Sequence, residues 1–267
     1  KNGKAAGVAL DSGDEIHANV VVSAMDVKRT FLSCMDKSDL PGNFYRRVEN
    51  FKIRGSSGKI NIALDGMPTF PALPEDSPLY LADMHFTDSM ERMERAYDDW
   101  KDGTWSRDPY IDMTIPTTND PTMAPPGKHF MSCFIQYCPR QINGRDWTQE
   151  DKDGFRKSVF DQISNYSPDF EDLVLHAEVR TPQDIENEIG ITEGNIFHGE
   201  LTMDQLLFNR PIPGFAQYRS PIGGLYMCGS SNHPGGGIMG APGANAAREI
   251  LSDLKRPNVV PENFGDD

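Results

Sequence analysis

Gly224-Leu225-Tyr226-Met227-Cys228-Gly229-Ser230-Ser231-Asn232-His233-Pro234-Gly235-Gly236-Gly237-Ile238-Met239-Gly240-Ala241-Pro242-Gly243-Ala244-Asn245-Ala246-Ala247 is the stretch whose reading decides the fold. A short apolar strand over 224–229 runs into a glycine-rich loop, 230–240. Ala241 then opens a helix to Leu254 with Pro242 in its first turn, where a missing N–H costs nothing. Residues 235–240 satisfy G-x-G-x-x-G, and a strand precedes and a helix follows. A first Rossmann βαβ unit would also need a second strand and an acidic residue about 20 residues on. Neither follows here, so the pattern is not a nucleotide fingerprint in its own right. What remains is physical. Glycines let backbone amides approach a ligand, and a helix start offers free N–H groups and partial positive charge to an anion or an electron-rich carbonyl. The bland reading, a tight turn with a helix packed closely on a sheet, stands at even odds on spacing alone.

Outward from this stretch the chain alternates strands and helices. Residues 5–10 and 16–22 read as two strands about the turn Asp11–Asp14. The run Val20-Val21-Val22 reads as buried on both faces, and Ser23 or Asp26 can cap a short helix over 26–32. Ile60, Ile62 and Leu64 alternate along a strand from Ser57. Met90, Met93, Tyr97 and Trp100 recur at helical spacing and predict a core stripe. Strands over 110–115, 130–138 and 173–179 follow, with helices from Thr148 and from Thr181-Pro182. The class is α/β of the α+β kind, a mixed or antiparallel sheet with helices on one face.

The formal net charge of −14 argues against nucleic acid and anionic membrane surfaces. No window approaches the apolar length of a spanning helix. Cys34, Cys133, Cys138 and Cys228 form no CxxC, and no histidine completes a metal set; they read as free thiols of a reducing compartment. A chain that opens at Lys1 and enters a strand pattern at once reads as the later part of a longer polypeptide.

The whole 224–247 string resembles the C-terminal flavin motif of the phytoene-desaturase-like FAD oxidoreductases. It sits nearest the subgroup of pyridine nucleotide-disulfide oxidoreductase domain-containing protein 2. Gly7–Leu10 with Ile16–Ala24, the loop Ile115-Pro116-Thr117 to Gly127, Thr181–Glu186 and Gly194–Gly199 fit the same pattern. The resemblance implies an FAD domain in two pieces, 1–35 and 205–255, a substrate-binding domain over 36–204, and an irregular tail, 256–267. It implies FAD as cofactor, held here by Gly229, Ser230, His233, Pro234, Gly235, Gly236, Gly237, Ile238, Met239, Gly240 and Asn245, with a GxGxxG half elsewhere in the polypeptide. This portion alone is then expected to be inactive. Partners implied are a hydrophobic small-molecule substrate and the N-terminal half, with homo-oligomers open. The location implied is cytoplasm or mitochondrial matrix. Ser230 stands where many flavin amine oxidases place an acid, which weakens the match to that branch.

His233 is the candidate catalytic residue, since an imidazole there can move a proton near neutral pH. The alternative, a histidine that only bonds the loop, is favoured because flavin chemistry asks little of the protein beyond positioning. His198 is a weaker candidate. Arg210 and Arg219 read as surface salt bridges or as anion ligands, and Asn245 as a bond to backbone or to a flavin edge. A binding or regulatory protein that keeps the fold without turnover is the rival class.

Overall fold

The computed structural model describes residues 3–255; the expected tail at 256–267 lies outside them. In chain order the elements are β1 (Gly7–Ala9), β2 (Glu15–His17), β3 (Val21–Ser23), α1 (Gly42–Glu49), β4 (Ser57–Leu64) and β5 (Met84–Phe86). There follow α2 (Met90–Lys101), β6 (Tyr110–Thr114), β7 (His129–Gln136), α3 (Gln149–Ser164), β8 (Val174–Arg180), α4 (Pro182–Ile189), β9 (Leu225–Met227) and α5 (Ala241–Leu254). The fold is α+β, with antiparallel and parallel sheets. The chain forms two compact units: residues up to Arg54 with those from Gly190 on, and Gly55–Ile189.

The central unit is built on an antiparallel sheet of order β5-β6-β7-β4-β8. Alternation puts Ile60, Ile62, Ile111, Met113, Met131, Cys133 and Ile135 on one face, all at 0% exposure. Phe155, Val159 and Ile163 of α3 close over that face. Gly58 is needed there, since a Cβ would sit 2.7 Å from the Phe155 ring. Burial pushes the Cys133 thiol up to about 12, so it packs as a small apolar group.

The α3 start is a capping box. Thr148 Oγ accepts from the Asp151 amide at 3.2 Å, and the Thr148 amide donates back to the Asp151 carboxylate at 2.8 Å. Arg145 Nη1 donates to the same carboxylate at 2.6 Å and, with Thr148, holds its pKa well below the usual carboxylate range. A depressed native pKa contributes stability above the unfolded value, lost as pH falls through the native one. Melting temperature should therefore drop between about pH 5 and pH 2, and Asp151→Asn should flatten that drop while lowering the plateau above it.

Two expectations fail in these units. Of the predicted α2 stripe only Trp100 is buried; Met90 and Met93 are 82% and 43% exposed. The covered positions are Ala96 and Trp100, because only the C-terminal end of α2 is packed over. The Val20–Val22 run is not buried on both faces: β3 is short, has β9 as its neighbour, and leaves Val22 45% exposed.

The outer unit has its own core. Val27, Phe31, Phe44, Val48, Phe51, Ile53, Ile212, Leu225 and Met227 cluster, with Phe31 and Phe44 edge to face at 4.8 Å. Phe44 and Val48 come from α1, so residues 36–54, assigned by sequence to the central domain, pack in this core. Residues 190–204 belong to the same unit: Asn195 Nδ2 donates to the Arg54 carbonyl at 2.8 Å, and the Glu200 amide donates to the Lys52 carbonyl at 2.9 Å.

Candidate functional site

β3 and β9 pair in parallel, with Val21 opposite Leu225 and Ser23 opposite Met227. Their C-terminal ends lie side by side, the end of a parallel sheet at which ligands bind. The Cys228 amide donates to the Ser23 carbonyl at 2.8 Å, so the glycine loop leaves the sheet beside Ala24. Gly229 is what permits this. A Cβ there would lie 2.2 Å from the Ala24 carbonyl oxygen.

Two buried residues then hold the loop. Ser231, at 0% exposure, accepts from the Val27 amide at 3.0 Å and donates to the His198 carbonyl at 2.8 Å, joining three segments with one hydroxyl. Arg210 is also fully buried. Its guanidinium donates to carbonyls rather than to an acid: Ser230 from Nε at 3.1 Å and Nη2 at 2.9 Å, Phe197 at 2.8 Å and Glu200 at 3.2 Å. Longer bonds reach Gly199 and Gln205. Burial pushes its pKa down to about 10, which leaves it charged at neutral pH. The expected surface salt bridge is absent at Arg210 among the described residues, because five donors in a rigid fork match a ring of carbonyls. Arg219 does pair with acids, Glu249 at 2.6 Å and Asp253 at 2.7 Å. Tyr218 Oη donates to the His233 carbonyl at 2.7 Å and accepts from Asn245 Nδ2 at 2.9 Å, tying the loop to α5. Asn245 Oδ1 accepts from Arg248 at 2.8 Å, so its amide is engaged within the protein.

The sequence-derived residues fall into two sets. Gly229, Gly235 and Gly236 face protein: Gly235 is buried near Arg210 and Leu201, and a Cβ on Gly236 would sit 2.8 Å from the Phe197 ring. Ser230 is half-buried and gives its carbonyl to Arg210. Pro234, after a cis peptide bond from His233, is exposed, as are Gly237, Ile238, Met239 and Gly240. Gly240 caps α5 with φ 65°, a left-handed conformation that glycine takes without cost. A Cβ on Gly240 or Gly243 would meet nothing within 4 Å. The first-turn amides of Ala241 and Gly243 have no acceptor within the helix, Pro242 between them contributes none, and Gly243 is exposed. His233 Nδ1 is buried and accepts no hydrogen bond among the described residues. His198 Nδ1 is in the same state; burial lowers its pKa against the pull of Asp26.

Ser231 and Tyr218 were not legible as site residues. Tyr218 lies in an irregular stretch at φ 66°, and Ser231 is one serine of an adjacent pair. No helix among the described residues is long and apolar enough to cross a membrane.

The mouse pyridine nucleotide-disulfide oxidoreductase domain-containing protein 2 is 40% identical over 260 residues, covering 95% of this chain and 45% of its own length. The chain is a relative of that protein. It spans about half the length of the curated relatives it matches. More distant relatives are the 4,4'-diapolycopene oxygenase of Methylomonas sp, 26% identical over 96% of this chain and 48% of that protein, and the chloroplastic prolycopene isomerase of Daucus carota, 25% identical over 95% and 38%. No family model matches the chain. Nearly the whole of the chain is thus similar to part of a protein named for a pyridine nucleotide-disulfide oxidoreductase domain.

Proposed function

We propose that the chain is the C-terminal part of an FAD-dependent oxidoreductase that oxidises or desaturates a hydrophobic or carbonyl-activated small molecule. In this reading the unit built on β3, β9 and α5 holds flavin, and the unit 55–189 faces substrate. The observation that carries it is an open glycine. Gly243 faces no protein atom that a Cβ would strike, yet it stands in the first turn of a 14-residue helix where alanine would be the better residue.

The residues present suit a flavin edge. Bound FAD would supply the hydride acceptor. The Ala241 and Gly243 amides and the α5 dipole favour negative charge beside them by about 0.3–2 kcal/mol, which for a two-electron couple is some tens of millivolts at most. Arg210, Ser231 and Tyr218 hold the loop so that these amides are preorganised. His233 has its carbonyl fixed by Tyr218 and its Nδ1 buried, which favours a loop-holding role over proton transfer. The test is the flavin content of the complete gene product after acid release, followed by anaerobic bleaching with candidate substrates. A purified complete protein with no flavin, and none taken up on incubation, contradicts the proposal.

A further inference from the structure

The five-stranded sheet has a second face. Opposite the core lie Lys59 and Asn61 of β4, Tyr110, Asp112 and Thr114 of β6, and Ser132, Phe134 and Gln136 of β7, all half-buried. Lys59 is the anomaly among them. It sits on an interior strand, flanked by Phe134 on β7 and Arg180 on β8 as Cα partners. A lysine opposite an arginine is an unfavourable cross-strand pair. Arg180 is neutralised by Glu178 at 3.1 Å and Glu188 at 2.6 Å. Lys59 is not: its ammonium donates to the Ser132 hydroxyl and forms no ion pair among the described residues. Of its three N–H groups one is used. Asp112 lies a further strand away, beyond Phe134, and Glu178, beside Asn61, is engaged by Arg180. The Asn61 amide, opposite Ser132 in the register, makes no side-chain hydrogen bond among the described residues. In a chain of net charge −14, an uncompensated cation held on a middle strand calls for an anion.

We infer that this sheet face binds an organic monocarboxylate, its oxyanion on Lys59 Nζ with the Ser132 hydroxyl and the Asn61 amide alongside, and its apolar body on the Phe134 ring. A carboxylate accepts from all three groups, whereas an alcohol of equal length offers neither charge nor a second oxygen. The inference supplies a substrate class for the oxidoreductase reading and rests on it for its meaning; the binding itself needs no flavin.

The test is isothermal titration of the chain with octanoate and with 1-octanol, using chains whose melting temperature matches the parent. Octanoate is expected to bind saturably, and 1-octanol about ten-fold or more weakly, the size of one charge-assisted contact. Lys59→Met should cost octanoate about ten-fold or more, while Lys59→Arg keeps it within about three-fold. Should Lys59→Met melt early, Ser132→Ala with Asn61→Ala carries the same expectation of loss. No octanoate binding by the parent, equal affinity for acid and alcohol, or undiminished binding by a native-melting Lys59→Met would each overturn the inference. Flavin content of the complete gene product is read separately, so failure of one proposal does not decide the other.

Discussion

Replacing Arg210 by Met should unfold the outer unit's loop assembly at a cost of about 4 kcal/mol, the range for breaking a buried charged network. The side chain is 0% exposed, and its loss strands the carbonyls of Phe197, Gly199, Gln205 and Ser230, while that of Glu200 keeps the Gln205 amide. Each buried acceptor left without a donor costs about 1–3 kcal/mol unless water enters. Methionine fills the volume and supplies no donor, so the measurement isolates hydrogen bonding from cavity formation. Arg210→Lys should recover little, because three donors on a flexible stem cannot meet carbonyls arranged around a planar fork. Chemical denaturation followed by tyrosine fluorescence and by far-UV circular dichroism reads both variants. A midpoint for Arg210→Met within error of the parent would mean that the carbonyl ring is not what holds the glycine loop.

Gly229→Ala should be nearly as damaging, at about 3 kcal/mol, for a steric reason. The added methyl would stand 2.2 Å from the Ala24 oxygen and 2.8 Å from its carbonyl carbon. These are backbone atoms, and the Cys228–Ser23 hydrogen bond at 2.8 Å pins the same spot. Relief therefore requires β3 and β9 to part at their ends. Thermal melts of the chain should show a clear fall, with near-native far-UV signal retained at low temperature. An unchanged melting temperature would show that the two strand ends are free to separate.

The main elements were legible because they obey simple periods. Ile60, Ile62 and Leu64 alternate and are all at 0% exposure. The helix read from Thr148 starts there, with Thr148 as its N-cap. α5 begins where Pro242 foretells it. The misreadings share a cause: periodicity marks a face without saying what covers it. Met90 and Met93 lie in the stripe of Trp100 yet reach solvent. α1 was missed since it starts at Gly42 after Pro41 without a side-chain cap, and β5 since it has three residues. Within the site, composition located the glycine loop but could not sort its glycines, because Gly229 and Gly243 differ only in what stands 4 Å away. Nor could it place Arg210, whose partners are backbone carbonyls at five positions from 197 to 230 and carry no residue signature.

That sorting supplies the most direct test of the central claim, that Gly243 is glycine for a ligand rather than for the fold. The Cβ of Gly243→Leu would meet no protein atom within 4 Å, and the change replaces a poor helix former by a good one, a gain of up to about 1 kcal/mol. In the complete gene product, the flavin-to-polypeptide ratio should fall from near one to near zero while the melting temperature of the flavin-free protein holds or rises. A Gly243→Leu protein that keeps its full complement of flavin would contradict the account.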